Sequence, residues 1–249
     1  MSGHSKWSTI KRKKGAVDAA RGKVFTKIAR EIQVATREGG GDADANPRLR
    51  AALMAAKAAN MPKDNQERAI KKGLGATEGA DFAAALYEGR GPSGVAFVIE
   101  VLTDNKNRTV AELRHKFVKA GGELGSDGSA TWMFDHTAVF VIDRGRVGED
   151  ALMEATMEAG GDDVVADDDS WVVSCPASAF GAVADALAGF EPESAELRWV
   201  VKPENATSLT GEAAVAVAKL WAGLDDLDDV QTCYCSATLP DSVLEEHGP

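Results

Sequence analysis

With 249 residues, 44% of them hydrophobic and 27% charged, the chain can bury the cores of two or three domains and is too apolar to stay disordered as a whole. Residues 1–15 are basic without an apolar stretch, and nowhere do about 18 uncharged apolar residues run together. These features argue against a secretory signal and a membrane span, so a cytoplasmic protein is expected. Cys175, Cys233 and Cys235 are too few for a disulfide framework and lack the second ligand pair of a zinc site, so reduced, partly buried thiols are expected.

The formal net charge of -11 conceals a polarity along the chain. Residues 1–75 hold 17 Lys or Arg against 7 Asp or Glu, leaving the remainder with 11 of the 28 basic and 32 of the 39 acidic residues. Lysine and arginine that neutralise phosphates release condensed counterions, so one end is expected to attract polyanions and the other to repel them.

In chain order, Lys6, Trp7, Lys11, Arg12, Lys13 and Lys14 form a basic arm with almost nothing to bury. Trp7 suits either an anchor for that arm or a ring stacked on a base. Over residues 17–37, Val24, Ile28, Ile32 and Ala35 recur at helical spacing, and Arg21, Lys23, Lys27, Arg30 and Arg37 occupy the other faces. Gly39, Gly40, Gly41 and Asp42 end this helix, and Asn46 with Pro47 starts a second. A third, short helix is expected to start on a capping arrangement of Asp64 and Glu67 and to end at Gly73. The tight turn at Met61 and Pro62 invites a helix-turn-helix reading, with Asn65, Gln66 and Arg68 at base edges.

Beyond residue 80 the period changes. Residues 85–88 and 95–102 read as strands, and 107–121 as a helix with Thr109 and Glu112 as a capping box. A strand is expected at 131–134. Residues 135–202 then spell β-α-β-β-α-β, the ferredoxin-like order. The helix at 211–224 and the strand at 230–236 are incomplete alone, so they are expected to finish the sheet begun near Ala85.

Gly89, Gly91 and Gly94 satisfy G-x-G-x-x-G, but a strand rather than a helix follows, so a turn is expected instead of a dinucleotide site. His4, His115, His136 and His247 lack partners at metal-ligand spacing. Asp167, Asp168 and Asp169 read as a solvated hairpin turn.

Several composite segments resemble the YebC/PmpR family. Towards the N-terminus these are Gly3–His4–Ser5–Lys6–Trp7, the Gly39-to-Arg50 stretch and Asn60–Met61–Pro62–Lys63–Asp64. In the body they are Tyr87–Glu88–Gly89, Leu102–Thr103–Asp104–Asn105, Asn107–Arg108–Thr109–Val110 and Asp226–Leu227–Asp228–Asp229–Val230–Gln231. The resemblance implies an α+β protein, with a three-helix N-terminal domain and two α+β domains, the second ferredoxin-like and inserted into the first, and no cofactor. The expected domains are 1–75, 80–134 with 203–240, and 135–202. It also implies a non-enzymatic, probable DNA-binding transcriptional regulator. The alternative is a ribosome-associated translation factor, akin to a mitochondrial translational activator, that relieves stalling at proline-rich stretches and meets ribosomal RNA. The expected nucleic-acid contacts are Lys6, Trp7, Lys11, Arg12, Lys13, Lys14, Arg21, Lys23, Lys27 and Arg30, with the acidic body free to recruit a protein partner. A hydrolase using clustered carboxylates is the rival from another class.

Overall fold

The computed structural model describes residues 21–75, 81–167 and 169–249. Helices α1 (Arg21–Gly39), α2 (Pro47–Ala58) and α3 (Lys63–Gly73) open the described chain. Ile32 and Ala35 of α1 pack with Leu49, Ala52 and Ala56 of α2, Met61 of the turn and Ala69 of α3 in one apolar cluster. Helix α1 lies against both of the others, while α2 and α3 make at most slight contact. Gly40, at φ +86°, ends α1 in the left-handed region that glycine enters without steric cost.

Asn46 makes the corner between α1 and α2. Its Oδ1 accepts from Leu49 N at 3.1 Å, and its Nδ2 donates to Ala35 O at 2.8 Å and Gly40 O at 2.9 Å. One buried side chain thus satisfies an orphan amide of α2 and carbonyls at the end of α1. A Cβ on Gly39 would come within 2.6 Å of that Nδ2, so the glycine run is also a packing requirement.

The body follows with strands β1 (Ala83–Arg90) and β2 (Ala96–Thr103), helix α4 (Lys106–Lys119) and the short β3 (Glu123–Leu124). Strands β1 and β2 are antiparallel, from Ala83 opposite Thr103 to Arg90 opposite Ala96. The glycine-rich segment is the turn between them, closed by Gly91 N donating to Val95 O at 2.8 Å. A residue with a Cβ at Gly89 would strike the Phe117 ring and Glu123 O.

The inserted unit runs β4 (Phe134–Asp143), α5 (Glu149–Glu158), β5 (Asp163–Asp167), β6 (Ser170–Pro176), α6 (Phe180–Leu187) and β7 (Ser194–Val201). Its sheet order is β5-β6-β4-β7, the ferredoxin-like arrangement. Phe140, Leu152, Val173, Val183 and Leu187 fill its core, and Phe140 stacks on Phe180 at 5.3 Å between ring centres. Asp167 and Asp169 flank the β5–β6 hairpin turn, and Asp168 lies outside the described residues.

The chain ends with β8 (Thr207–Ser208), α7 (Gly211–Asp225), β9 (Val230–Cys235), β10 (Ala237–Thr238) and α8 (Asp241–His247). Strand β9 pairs with β2, completing a sheet in the order β3-β1-β2-β9. The alternation of β2 sorts its two faces. Val95, Phe97, Ile99 and Val101 meet Leu113, Phe117, Val217 and Leu224 of α4 and α7. Ala96 and Val98 face Phe134 and Tyr234 on the other side. By compactness, the described part of residues 1–79 groups with 136–198, and the described part of 80–135 with 199–249.

Three local expectations are corrected. Asn105, not Thr109, caps α4, its Oδ1 accepting from Arg108 N at 3.1 Å, and Thr109 is buried inside the helix. Helix α3 begins at Lys63 after Pro62 with no side-chain cap, so Asp64 and Glu67 do not form one. Residues Thr131–Met133 are a 3-10 turn, and the strand starts at Phe134. Two bonds hold the turn: the Glu88 carboxylate accepts from Thr131 N at 2.7 Å, and Met133 N donates to Ala130 O at 3.0 Å, so neither amide is free for a strand ladder.

Candidate nucleic-acid interface

Lys6, Trp7, Lys11, Arg12, Lys13 and Lys14 lie outside the described residues. Arg21 opens α1. Lys23, Lys27 and Arg30, spaced i, i+4, i+7, form one stripe along α1 that leads to the buried Val34. All three are half-buried, and each already has an interaction partner, so the stripe is a shelf of anchored cations.

Sequence reasoning singled out Arg68 but missed the other cations of a second group. Lys57, Lys63, Arg68, Lys71 and Lys72 are exposed on α2 and α3. Arg68, Lys71 and Lys72 lie together on one exposed flank of α3, beside the side that buries Ala69. The signal was present as the Lys71–Lys72 pair, which reads as an ordinary helix ending until Ala69 is known to set the inner face.

Not every cation of this module is available. Arg48 is held by Glu31 in a two-pronged bond, at 2.6 and 3.1 Å, and by Glu38 at 2.6 Å. Burial works against its charge, but the hydrogen bonds and charges of Glu31 and Glu38 outweigh it and raise the Arg48 pKa. Arg50 donates to Ala43 O and Asp44 O and pairs with Asp185 of the inserted unit. The acids of α1 are therefore spent on an internal arginine, and the exposed side keeps its positive balance.

The helix-turn-helix expectation is corrected in one element. Helices α2 and α3, joined by a tight turn, both brace on α1, a three-helix arrangement that the motif also adopts. Gln66, a supposed base reader, donates its Nε2 to Met61 O at 2.8 Å and so serves the turn.

Among the described residues the body holds two buried carboxylates. Asp229, 1% exposed, accepts from Arg108 at 2.7 Å and lies 2.7 Å from Thr109 Oγ1 and 3.0 Å from Thr103 Oγ1. Its carbonyl accepts from Leu102 N at 2.9 Å. Burial would raise its pKa, but the bonds from Arg108, Thr109 and Thr103 prevail and lower it. At Glu88 burial is likewise outweighed, here by the backbone amides of Ala130, Thr131 and Gly128. Both carboxylates are held ionised by donors of their own fold, an arrangement that pins structure and offers no proton for acid catalysis at neutral pH.

Burial pushes the Cys175 thiol up to about 11 and the Cys235 thiol up to about 12, so both remain protonated and unreactive. Among the described residues no group of three or more His, Cys, Asp or Glu could hold a metal ion. No helix among them is long and apolar enough to cross a membrane.

Taken from the fold upward, this is an α+β protein of three parts: a cationic three-helix module, a body of four strands under two helices, and a ferredoxin-like insertion. The chain belongs to the TACO1/YebC family. The model of that family's N-terminal domain matches residues 5–76, and the model of its second and third domains matches residues 82–237. It is 52% identical over 247 residues to a protein of Desulforapulum autotrophicum named a probable transcriptional regulatory protein, covering 98% of this chain and 99% of that one. A Burkholderia ambifaria protein of the same description is 52% identical over 242 residues, covering 96% and 99%. The crystal structure of a conserved hypothetical protein from Aquifex aeolicus superposes with a TM-score of 0.80 at 40% identity, covering 94% of this chain and 97% of that one.

Proposed function

We propose that this chain regulates gene expression without catalysis, as a DNA-binding transcriptional regulator that holds duplex DNA on the cationic side of its N-terminal module. The observation that carries the reading is the side-chain arrangement of that module. Its α1 acids are consumed by Arg48, while Lys57, Lys63, Arg68, Lys71 and Lys72 stay exposed on α2 and α3. The names of the bacterial relatives point the same way. The contacts are to phosphates, so affinity is expected to depend weakly on sequence and strongly on salt.

A second reading is favoured by one specific observation, the diversion of Gln66 into its own turn, which removes a base reader. Under it the same cations grip structured RNA on the ribosome, and the protein acts as a translation factor. One experiment separates the two. Binding to duplex DNA, measured across a salt series with unlabelled competitor, is expected to give a log–log slope near about -5 if roughly six phosphates are engaged. Affinity indifferent to salt, or stable co-sedimentation with ribosomes alongside no duplex binding, removes the DNA reading.

A further inference from the structure

Four tryptophans fall among the described residues, and three of them serve the core. Trp171, Trp199 and Trp221 pack in or against apolar clusters, and their indole N–H groups donate to Val147 O at 3.0 Å, Glu100 Oε1 at 3.0 Å and Cys233 O at 2.8 Å. Trp132 departs from this pattern. It is 56% exposed, and no other aromatic ring among the described residues is exposed.

The ring is nevertheless held in place. Trp132 is the middle residue of the Thr131–Met133 turn. That turn is fastened at both ends: Glu88 accepts from Thr131 N at 2.7 Å, and Met133 O accepts from Lys202 N at 2.9 Å. Trp132 Nε1 donates to Ser129 O at 3.3 Å, the same oxygen that accepts from Arg90 Nη2 at 3.3 Å. Lys202 Nζ donates to Trp132 O at 3.0 Å. An exposed indole and two cations are thereby fixed on one turn of the body.

A structural role accounts for the indole N–H but not for the ring. Ser129 O has a donor in Arg90 without it, and the turn closes through Glu88 and its own backbone. Leaving more than half of so large a side chain in water forfeits the stabilisation that burial gives the other three. Because its nitrogen is already satisfied, what the ring still offers is apolar π surface.

The surrounding charge narrows the ligand. Arg90 and Lys202 each keep further N–H groups for an anion. The Asp135 side chain, 64% exposed, lies 3.7 Å from Lys202, and a surface pair of this kind is weak enough to leave the ammonium available. Asp127 and Glu204, both exposed, stand two residues from Ser129 and Lys202. The field is mixed, so it does not suit a long polyanion. A planar apolar group that carries a single anion fits it, and a nucleotide is such a group: its base stacks on the ring while its phosphate meets a cation.

We propose that Trp132 is a stacking site for one unpaired base of a looped or single-stranded nucleic acid, whose adjoining phosphate is met by Arg90 and Lys202. The site belongs to the body and not to the N-terminal module. It rests on the reading of the chain as a nucleic-acid-binding protein, but asks for an unpaired base where that reading invokes a duplex. A base inside a duplex is stacked between its neighbours and cannot use the ring.

The test uses the full chain with three probes: a hairpin with an adenine-rich loop in RNA form, the same hairpin in DNA form, and the perfect duplex of its stem. Both loops carry 2-aminopurine, whose fluorescence falls when it stacks. The wild type is expected to quench it on binding. Trp132→Leu is expected to lose the quenching and to weaken hairpin binding about tenfold. Duplex binding and the salt slope stay unchanged, since one neutral side chain replaces another. Trp132→Phe keeps a ring and part of the gain, and thermal melts verify that both variants fold. Quenching of either loop supports the site, and quenching of the RNA loop alone assigns it to RNA. Hairpin binding of this kind without duplex binding keeps the site and removes the duplex reading. If the wild type binds none of the probes, the functional reading fails and the site with it. If it binds the duplex in a salt-dependent way while both variants bind the hairpins as the wild type does, the stacking site alone is disproved. The site is also overturned if Trp132→Leu weakens duplex and hairpin by the same factor. It is overturned as well if the one effect of that variant is loss of self-association, which assigns the ring to a second copy of the chain.

Discussion

At Asn46 a single buried amide has its donor and its acceptor in use at once. The oxygen starts α2 and the nitrogen closes α1, so the corner loses three bonds if the side chain is shortened. A lost N-cap costs about 1 kcal/mol, and the bonds from Nδ2 to Ala35 O and Gly40 O at the end of α1 go with it, so Asn46→Ala is expected to destabilise the chain by about 2–3 kcal/mol. Chemical denaturation of the full chain checks this; a loss below about 0.5 kcal/mol would show that water replaces the amide. The same residue explains why glycines precede it, since Gly39 must let Asn46 pass at contact distance. The pattern of Gly39 through Arg50 was legible as a helix end and a helix start. That one side chain serves both was not, because the two carbonyls it reaches lie 6 and 11 residues upstream.

Among elements, Asp229 is the pin of the body. It ties the end of β2 through Thr103 and Leu102, the first turns of α4 through Arg108 and Thr109, and the corner between α7 and β9 on which it sits. Because its folded pKa lies below the unfolded value of about 3.9, its contribution is complete above that value and drains away as pH falls through the folded one. Asp229→Asn is therefore expected to cost about 2–3 kcal/mol at pH 7, the weight of charge-assisted bonds to a buried group. The gap to the wild type should narrow on acidification below about pH 4. Unfolding followed at both pH values measures it, and a gap that stays constant with pH would mean that the charge is irrelevant. The segments around Thr103, Thr109 and Asp229 could be picked out one by one in the sequence, but they lie 120 or more residues apart at their contacts. Thr109 was misjudged as a cap for that reason: its partner is supplied by the far end of the chain.

For the whole molecule, the division of charge between the opening 75 residues and the remainder is the dominant feature. The proposed grip on DNA is additive over cations, so removal of residues 1–20, with Lys6, Lys11, Arg12, Lys13 and Lys14, is expected to make the duplex salt slope shallower by about 3 to 4. If the truncated chain, measured as in the salt series, keeps the full slope, the arm is not where the phosphates go. The fold also redistributes the remaining charge. Arg48, Arg50 and Arg108 are held in ion pairs as structural cations, while Lys106, Arg114 and Lys119 of α4 stay exposed in a part of the chain whose net charge is negative. Bulk charge thus identified the basic end but concealed the cationic helix of the body.

What the linear chain determined alone is whatever depends on near neighbours: helical and strand periods, the ferredoxin-like order, the turn at Gly91, and the total charge of each segment. These follow from backbone geometry and side-chain spacing within a few residues, so they are the same before and after folding. Only the tertiary structure decided which cations are neutralised, which are exposed, and that α2 and α3 brace on α1 instead of each other. Those outcomes depend on carboxylates and apolar faces brought together from distant positions, and spacing along the chain carries no record of such meetings.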